Sequence, residues 1–92
     1  MTELCFEWNP AKAAANFKKH GVGFEDAKSV FADEQAKLIA DPDHSDAEDR
    51  FVLLGLSTKL KLLVVCHCYR SKGQIIRIIS ARRATAAEAR QY

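Results

Sequence analysis

The segment Ile75–Thr85, IIRIISARRAT, holds the residues best suited to chemistry. Arg77 breaks a run of isoleucines, and Arg82 and Arg83 close it. Such a run makes a buried strand, and an arginine in mid-strand costs free energy unless an anion or a carboxylate meets it. Phosphate fits a forked guanidinium through paired N–H···O bonds. Counting by twos over Gln74–Arg83 puts Ile76, Ile78, Ser80 and Arg82 on one face. Ile75, Arg77, Ile79, Ala81 and Arg83 fall on the other, which we take as the open face. In the strand before it, Cys66, Cys68 and Arg70 share a face opposite Val65, His67 and Tyr69. A register that sequence alone leaves open decides which set adjoins Arg77.

Lys12, Asn16 and His20 are spaced i, i+4, i+8 with Lys19 alongside, which makes one polar stripe on a helix. The stripe is either a solvated face or a basic edge beside the sheet, and Lys12→Ala would be silent only in the first case. His67 is either a hydrogen-bonded, partly buried ring or a general acid or base. Cys66-His67-Cys68 does not make a metal site, because alternation turns the histidine away from the thiols and there is no second cysteine pair. Cys5 and Cys66 read as small core residues. Neither a glycine-rich phosphate loop nor a GxSxG nucleophile motif is present, and no cofactor is implied.

With 92 residues, 48% of them hydrophobic, the chain can bury one modest core. Three cysteines do not make a disulfide framework. No segment approaches a membrane span, and MTELCFEWNP lacks the layout of a signal peptide, so the expected location is the cytoplasm. The net charge of +2 conceals a sorting: residues 25–49 hold nine acids and two bases, residues 50–92 nine bases and one acid. A basic C-terminal half suits an anionic ligand.

The elements that must position these side chains follow from local signals. Leu4–Asn9 reads as a short strand. Asn9-Pro10 caps a helix that Gly21 ends, with Phe17 and Val22 spaced for a closing contact. A second helix spans Phe24–Ala32, with Glu25 and Asp26 in its first turn. Ala36–Asp41 is a strand and Asp41–Asp49 a polar loop too acidic to grip phosphate. Arg50–Ser57, Lys61–Arg70 and the isoleucine strand form an antiparallel meander. Thr85 and Glu88 have capping-box spacing, which predicts a last helix.

In order, FEWNPAKAAANFKKHGVGFEDAKSVFAD, DHSDAEDR, LLVV and RIISARRAT, with a trailing glutamate and tyrosine, closely resemble the BrnT family of bacterial toxins over almost the whole chain. The specific part is EW-x-x-x-K-x-x-x-N-x-x-K-H-G together with RIISAR. The resemblance implies one RelE-like α+β domain over residues 1–92. Its antiparallel sheet would have two N-terminal helices packed on one face and a short C-terminal helix. It also implies a ribonuclease that halts translation, and a BrnA-like antitoxin encoded next door, often of ribbon-helix-helix type. The antitoxin would supply all base readout of DNA, since no recognition helix is offered here. Lys12, Asn16, His20, Arg50, Arg70, Arg77, Ser80, Arg82, Arg83, Glu88 and Tyr92 match the family pattern. Many relatives have aspartate at Asn9 and proline at Glu34, and many continue past Tyr92, so the last helix here is expected to be short.

Metal-free RNA cleavage needs a 2′-hydroxyl to attack its own phosphate, a group to take the proton, cations for the phosphorane and an acid for the 5′-oxygen. The expected clamp is Arg77 with Arg82 or Arg83. His67 or His20 would transfer protons, with Tyr92 as a further candidate. Lys12, Asn16, Lys19, Arg50 and Arg70 are the expected RNA contacts. The rival reading is a catalytically silent, antitoxin-binding co-repressor. A third, a free-standing nucleic-acid-binding domain, would call for exposed aromatic pairs on the sheet.

Overall fold

A computed structural model of the chain describes residues 4–39 and 50–92. Five strands make one sheet: β1 (Cys5–Glu7), β2 (Lys37–Ile39), β3 (Phe51–Leu56), β4 (Leu62–Arg70) and β5 (Ile75–Arg83), in the order β1-β5-β4-β3-β2. The helices are α1 (Pro10–His20), α2 (Phe24–Ser29) and α3 (Ala86–Ala89), and a 3-10 turn, Val30–Ala32, continues α2. The acidic loop expected at Asp41–Asp49 lies outside the described residues, as does the end of the strand expected before it.

Local chemistry sets the helix ends. Asn9 Oδ1 accepts from the backbone N–H of Ala11 at 2.8 Å and of Lys12 at 3.2 Å, and Pro10 needs no partner for the N–H it lacks. Gly21 adopts a φ of 71° and donates to Phe17 O at 2.8 Å, which ends α1. Val22 then enters the core, while Phe17 stays largely exposed. The capping box of α3 forms as expected, Glu88 N donating to Thr85 Oγ1 and Thr85 N to Glu88 Oε1.

The sheet is mixed rather than wholly antiparallel. β2, β3, β4 and β5 make antiparallel pairs, but β1 runs parallel to β5, with Glu7 opposite Arg77. A parallel neighbour cannot be reached by a hairpin, and here the whole of the intervening chain makes the crossover.

The main core lies between the sheet and the α2 segment. Phe24, Ala27 and Val30 pack with Leu63, Val65, Ile78 and Ala81, all nearly inaccessible to solvent. Gly55 lets the 3-10 turn rest on the β3 backbone, since a Cβ there would come within 2.7 Å of Val30 Cγ1 and 2.9 Å of Ala36 Cβ. The opposite face carries a smaller cluster of Val52, Leu54 and Val64.

Strict alternation fails at one point on β5. His67 pairs with Ile78 but Cys66 pairs with Ser80, so Ile79 is the extra residue of a β-bulge. Past the bulge the faces exchange. Ser80 and Arg82 therefore join Arg77 on the face away from α2, while Ala81 joins Ile76 and Ile78 in the core. The expectation that Ser80 and Arg82 share a face with Ile76 is corrected by this single inserted residue.

Candidate active site on the open sheet face

The β4–β5 register settles which neighbours Arg77 has. Cys68 lies opposite Arg77 and Cys66 opposite Ser80, so the face of Cys66, Cys68 and Arg70 is also that of Arg77. There Lys12, Arg50, Arg70 and Arg77 surround one small hollow, with Cys68 and Ile79 as its floor. A second hollow adjoins it through Lys12, Arg50 and Ile79, and adds Ala15, Asn16, Lys19, His20 and Ser80. Together they form a basic groove along α1, the start of β3, the end of β4 and the middle of β5.

Glu7 sets the geometry within the groove. Its Oε2 accepts from Arg77 Nη1 at 2.7 Å and lies 3.3 Å from Arg70 Nε. Glu7 and Arg77 are about one-third exposed and Arg70 more than half. Sequence reasoning passed over Glu7, although it stands in the EW pair. Its use depends on the parallel β1–β5 pairing, which joins residues far apart in the chain.

A family model described as the ribonuclease toxin BrnT of type II toxin–antitoxin systems matches residues 8–88. The chain belongs to the BrnT family. The crystal structure of the Brucella abortus ribonuclease toxin BrnT is similar in fold, with a TM-score of 0.68 at 22% identity over 90% of this chain and 99% of that one. No curated protein matches the chain.

Several residues that match the BrnT pattern lie apart from the groove or are occupied in it. Asn16, 7% exposed, is structural. Its Nδ2 donates to Val22 O at 3.0 Å and Ala81 O at 2.9 Å, and its Oδ1 accepts from Ala81 N at 3.1 Å. β1 covers β5 only from Ile75 to Arg77, so the Asn16 amide takes the place of a neighbouring strand beyond that point. Asn16 also lines the second hollow, with both of its amide donors spent on carbonyls.

Arg82 Nη1 and Nη2 donate to the two carboxylate oxygens of Glu88 at 2.7 and 2.8 Å. This fork holds the Glu88 carboxyl down at about 2, against an ordinary 4.5. Arg82 stands five residues from Arg77, roughly 16 Å along the strand. Arg83 is exposed at the end of β5, opposite Leu63. Of the three arginines expected in the clamp, Arg77 lines the hollow, while Arg82 is held by Glu88 and Arg83 stands at the strand end.

Tyr92 Oη donates to Asp33 Oδ2 at 2.7 Å, and the same oxygen accepts from Leu56 N at 2.8 Å. These bonds, with one from Gln35 N, hold the Asp33 carboxyl below its usual range and raise the Tyr92 phenol. Leu56 ends β3 at the far side from Arg50, roughly 20 Å away, so Tyr92 lies outside the groove. His67 is fully buried on the α2 face, against Phe31, Phe51 and Tyr69. It has no access to the groove, whereas His20 lines it. Cys5, expected in the core, is exposed on the edge strand β1.

Proposed function

We propose that this BrnT-family chain is a metal-independent endoribonuclease that inhibits translation and is neutralised by an antitoxin encoded beside it. The observation that supports this reading is the convergence of Arg77, Arg70, Arg50 and Lys12 on one hollow, with the Arg77 guanidinium already oriented by Glu7. Four cations at one point supply what a phosphorane dianion needs without a metal.

In this mechanism the scissile phosphate sits between Arg77 and the Lys12–Arg50 side of the hollow. The RNA 2′-hydroxyl attacks that phosphate, a 2′-O–P bond forms and the P–O5′ bond breaks, giving a 2′,3′-cyclic phosphate and a 5′-hydroxyl. His20 accepts the 2′ proton, and the leaving 5′-oxygen takes a proton from the water that fills the open groove. Lys19 and Arg70 carry the flanking phosphates.

A second reading has one observation behind it. Arg77 and Arg70 already bind a carboxylate, that of Glu7, so the same groove suits an acidic segment of an antitoxin. In that case the chain is a silent co-repressor, and DNA is contacted only through the antitoxin's own DNA-binding domain, of ribbon-helix-helix type. Purified, antitoxin-free protein incubated with total RNA in EDTA, beside folded Arg77→Ala, separates the two. Cleavage by the parent alone supports the ribonuclease. Intact RNA, together with normal growth after induction without antitoxin, supports the co-repressor.

A further inference from the structure

The two hollows of the groove differ in size and lining. The smaller, of about 90 Å³, has Lys12, Arg50, Arg70 and Arg77 around it and suits an anionic group alone. The larger, of about 380 Å³, falls among cavities that take a small organic molecule. Its lining is mixed, with aliphatic carbon from Ala15 and Ile79, the hydroxyl of Ser80 and the ring of His20.

The β-bulge gives the larger hollow two successive side chains of β5. Strict alternation would turn Ile79 and Ser80 to opposite faces, whereas the inserted residue lets both line the same hollow. Among the described residues the Ser80 hydroxyl makes no hydrogen bond, and its oxygen is not buried. A hydroxyl that can rotate to donate or accept, beside aliphatic carbon, suits the polar edge and flat face of a nucleobase. We propose that the larger hollow is the subsite for the nucleoside on the 5′ side of the scissile phosphate, with Ser80 as the residue that reads its base.

His20 decides the direction of the strand. It lines the larger hollow and not the smaller. The 2′-hydroxyl that attacks a phosphate belongs to the ribose on the 5′ side of that phosphate, so a base that takes its proton must stand beside that ribose. The strand therefore runs from Lys19 through the larger hollow to Arg77 and leaves past Arg70. Reversed, the larger hollow would hold a ribose whose 2′-hydroxyl cannot reach the phosphate at Arg77. The subsite rests on the reading of the groove as an RNA site.

The test titrates the protein, followed by NMR, with the four nucleoside 3′-monophosphates, their 5′ isomers and inorganic phosphate. Burial of one base face predicts that at least one 3′-monophosphate binds about 10-fold more tightly than inorganic phosphate and than its own 5′ isomer. It should shift the methyl signals of Ala15 and Ile79 together with the Arg77 Nε–H. Ala15 is exposed on α1 and leucine is a good helix former, so Ala15→Leu should fold. That variant should lose the gain of the 3′-monophosphate and bind inorganic phosphate as the parent does. Ser80→Ala should weaken the 3′-monophosphate by about 3-fold or more, the worth of one hydrogen bond. In cleaved RNA it should change which base stands 5′ of the cut and not which stands 3′. Equal affinity for the 3′ and 5′ isomers overturns the subsite, as does a 3′ gain that survives both substitutions in folded protein. A changed preference confined to the 3′ side of the cut overturns it too. A parent that binds neither phosphate nor any nucleotide, and cleaves no RNA, overturns the groove reading and the subsite with it.

Discussion

Glu7 Oε2 accepts a hydrogen bond from Arg77 Nη1 at 2.7 Å across the parallel pairing of β1 with β5, joining residues 70 apart in the chain. The bond fixes where a long, flexible guanidinium points, and the same carboxylate oxygen lies 3.3 Å from Arg70 Nε. In the proposed mechanism Glu7 is a positioning residue that also places a negative charge beside the phosphate. Glu7→Ala should slow RNA cleavage about 10- to 100-fold through misplacement of Arg77. Binding of an uncleavable oligonucleotide should not weaken, because the groove gains net positive charge. Unchanged cleavage rates would remove Glu7 from the site.

Arg77 and Arg82 share a face but have opposite work. Arg77 lines the hollow, while Arg82 is forked onto Glu88 and ties the α3 capping box to β5. Arg82→Ala should lower stability by about 1.5–3 kcal/mol, the range for hydrogen bonds to charged groups, and leave the cleavage rate near that of the parent. Arg77→Ala should do the reverse. Thermal melts and initial rates on both variants check the pair.

The Arg82–Glu88 fork also predicts an acid limb. Glu88 is held at about 2, below its ordinary 4.5, by the Arg82 hydrogen bonds first. Its carboxylate stabilises the fold fully above about 4.5, and that contribution is lost as pH falls from there toward 2. Urea unfolding at pH 6 and pH 3 should show a smaller loss of stability on acidification in Glu88→Gln than in the parent. Equal losses would mean that the fork contributes nothing.

Asn16 makes three hydrogen bonds to backbone atoms at a position that is 7% exposed. Asn16→Ala leaves the N–H and C=O of Ala81 and the C=O of Val22 without those partners, at about 1–3 kcal/mol for each group that water cannot reach. Asn16→Asp should be no better, because a carboxylate cannot donate to the two carbonyls. Denaturant unfolding of both variants checks this. A silent Asn16→Ala would return the residue to the solvated stripe.

The features legible in the sequence are those with local causes. Asn9-Pro10, Gly21 and the Thr85–Glu88 pair mark helix ends because caps are satisfied within a few residues. The strands β3, β4 and β5 lie within a residue of their expected bounds, and the groove side chains Lys12, Lys19, His20, Arg50, Arg70 and Arg77 were all singled out by type. What was not legible depends on long-range pairing. The bulge at Ile79 moves Arg82 to the face of Arg77, since one inserted residue reverses everything beyond it. The β1–β5 pairing decides the role of Glu7, and the uncovered edge at Ala81 decides that of Asn16. Residue type alone could not tell His20 from His67; strand alternation sends His67 to the core, and the packing of α1 beside β5 sends His20 to the groove.

His67 provides the pH test of that last distinction. Burial among Phe31, Phe51 and Tyr69 pushes its pKa below the ordinary 6.5, and the bond from Nδ1 to Val65 O offsets this only in part. The carbonyl can only accept, so Nδ1 carries the proton and Nε2 is left to accept from Tyr69 Oη at 3.3 Å. In the unfolded chain the ring takes up a second proton below about 6.5, which the folded chain refuses. Stability should therefore be unaffected by this group above 6.5 and fall as pH drops below it. His67→Gln should flatten the slope of unfolding free energy between pH 6.5 and 5, while the pH dependence of RNA cleavage stays as in the parent. His20→Gln should do the opposite, changing the cleavage profile and leaving the stability slope in place. If His67→Gln shifted the cleavage profile instead, the buried ring would be acting on the groove through the sheet, and the assignment of proton transfer to His20 would fail.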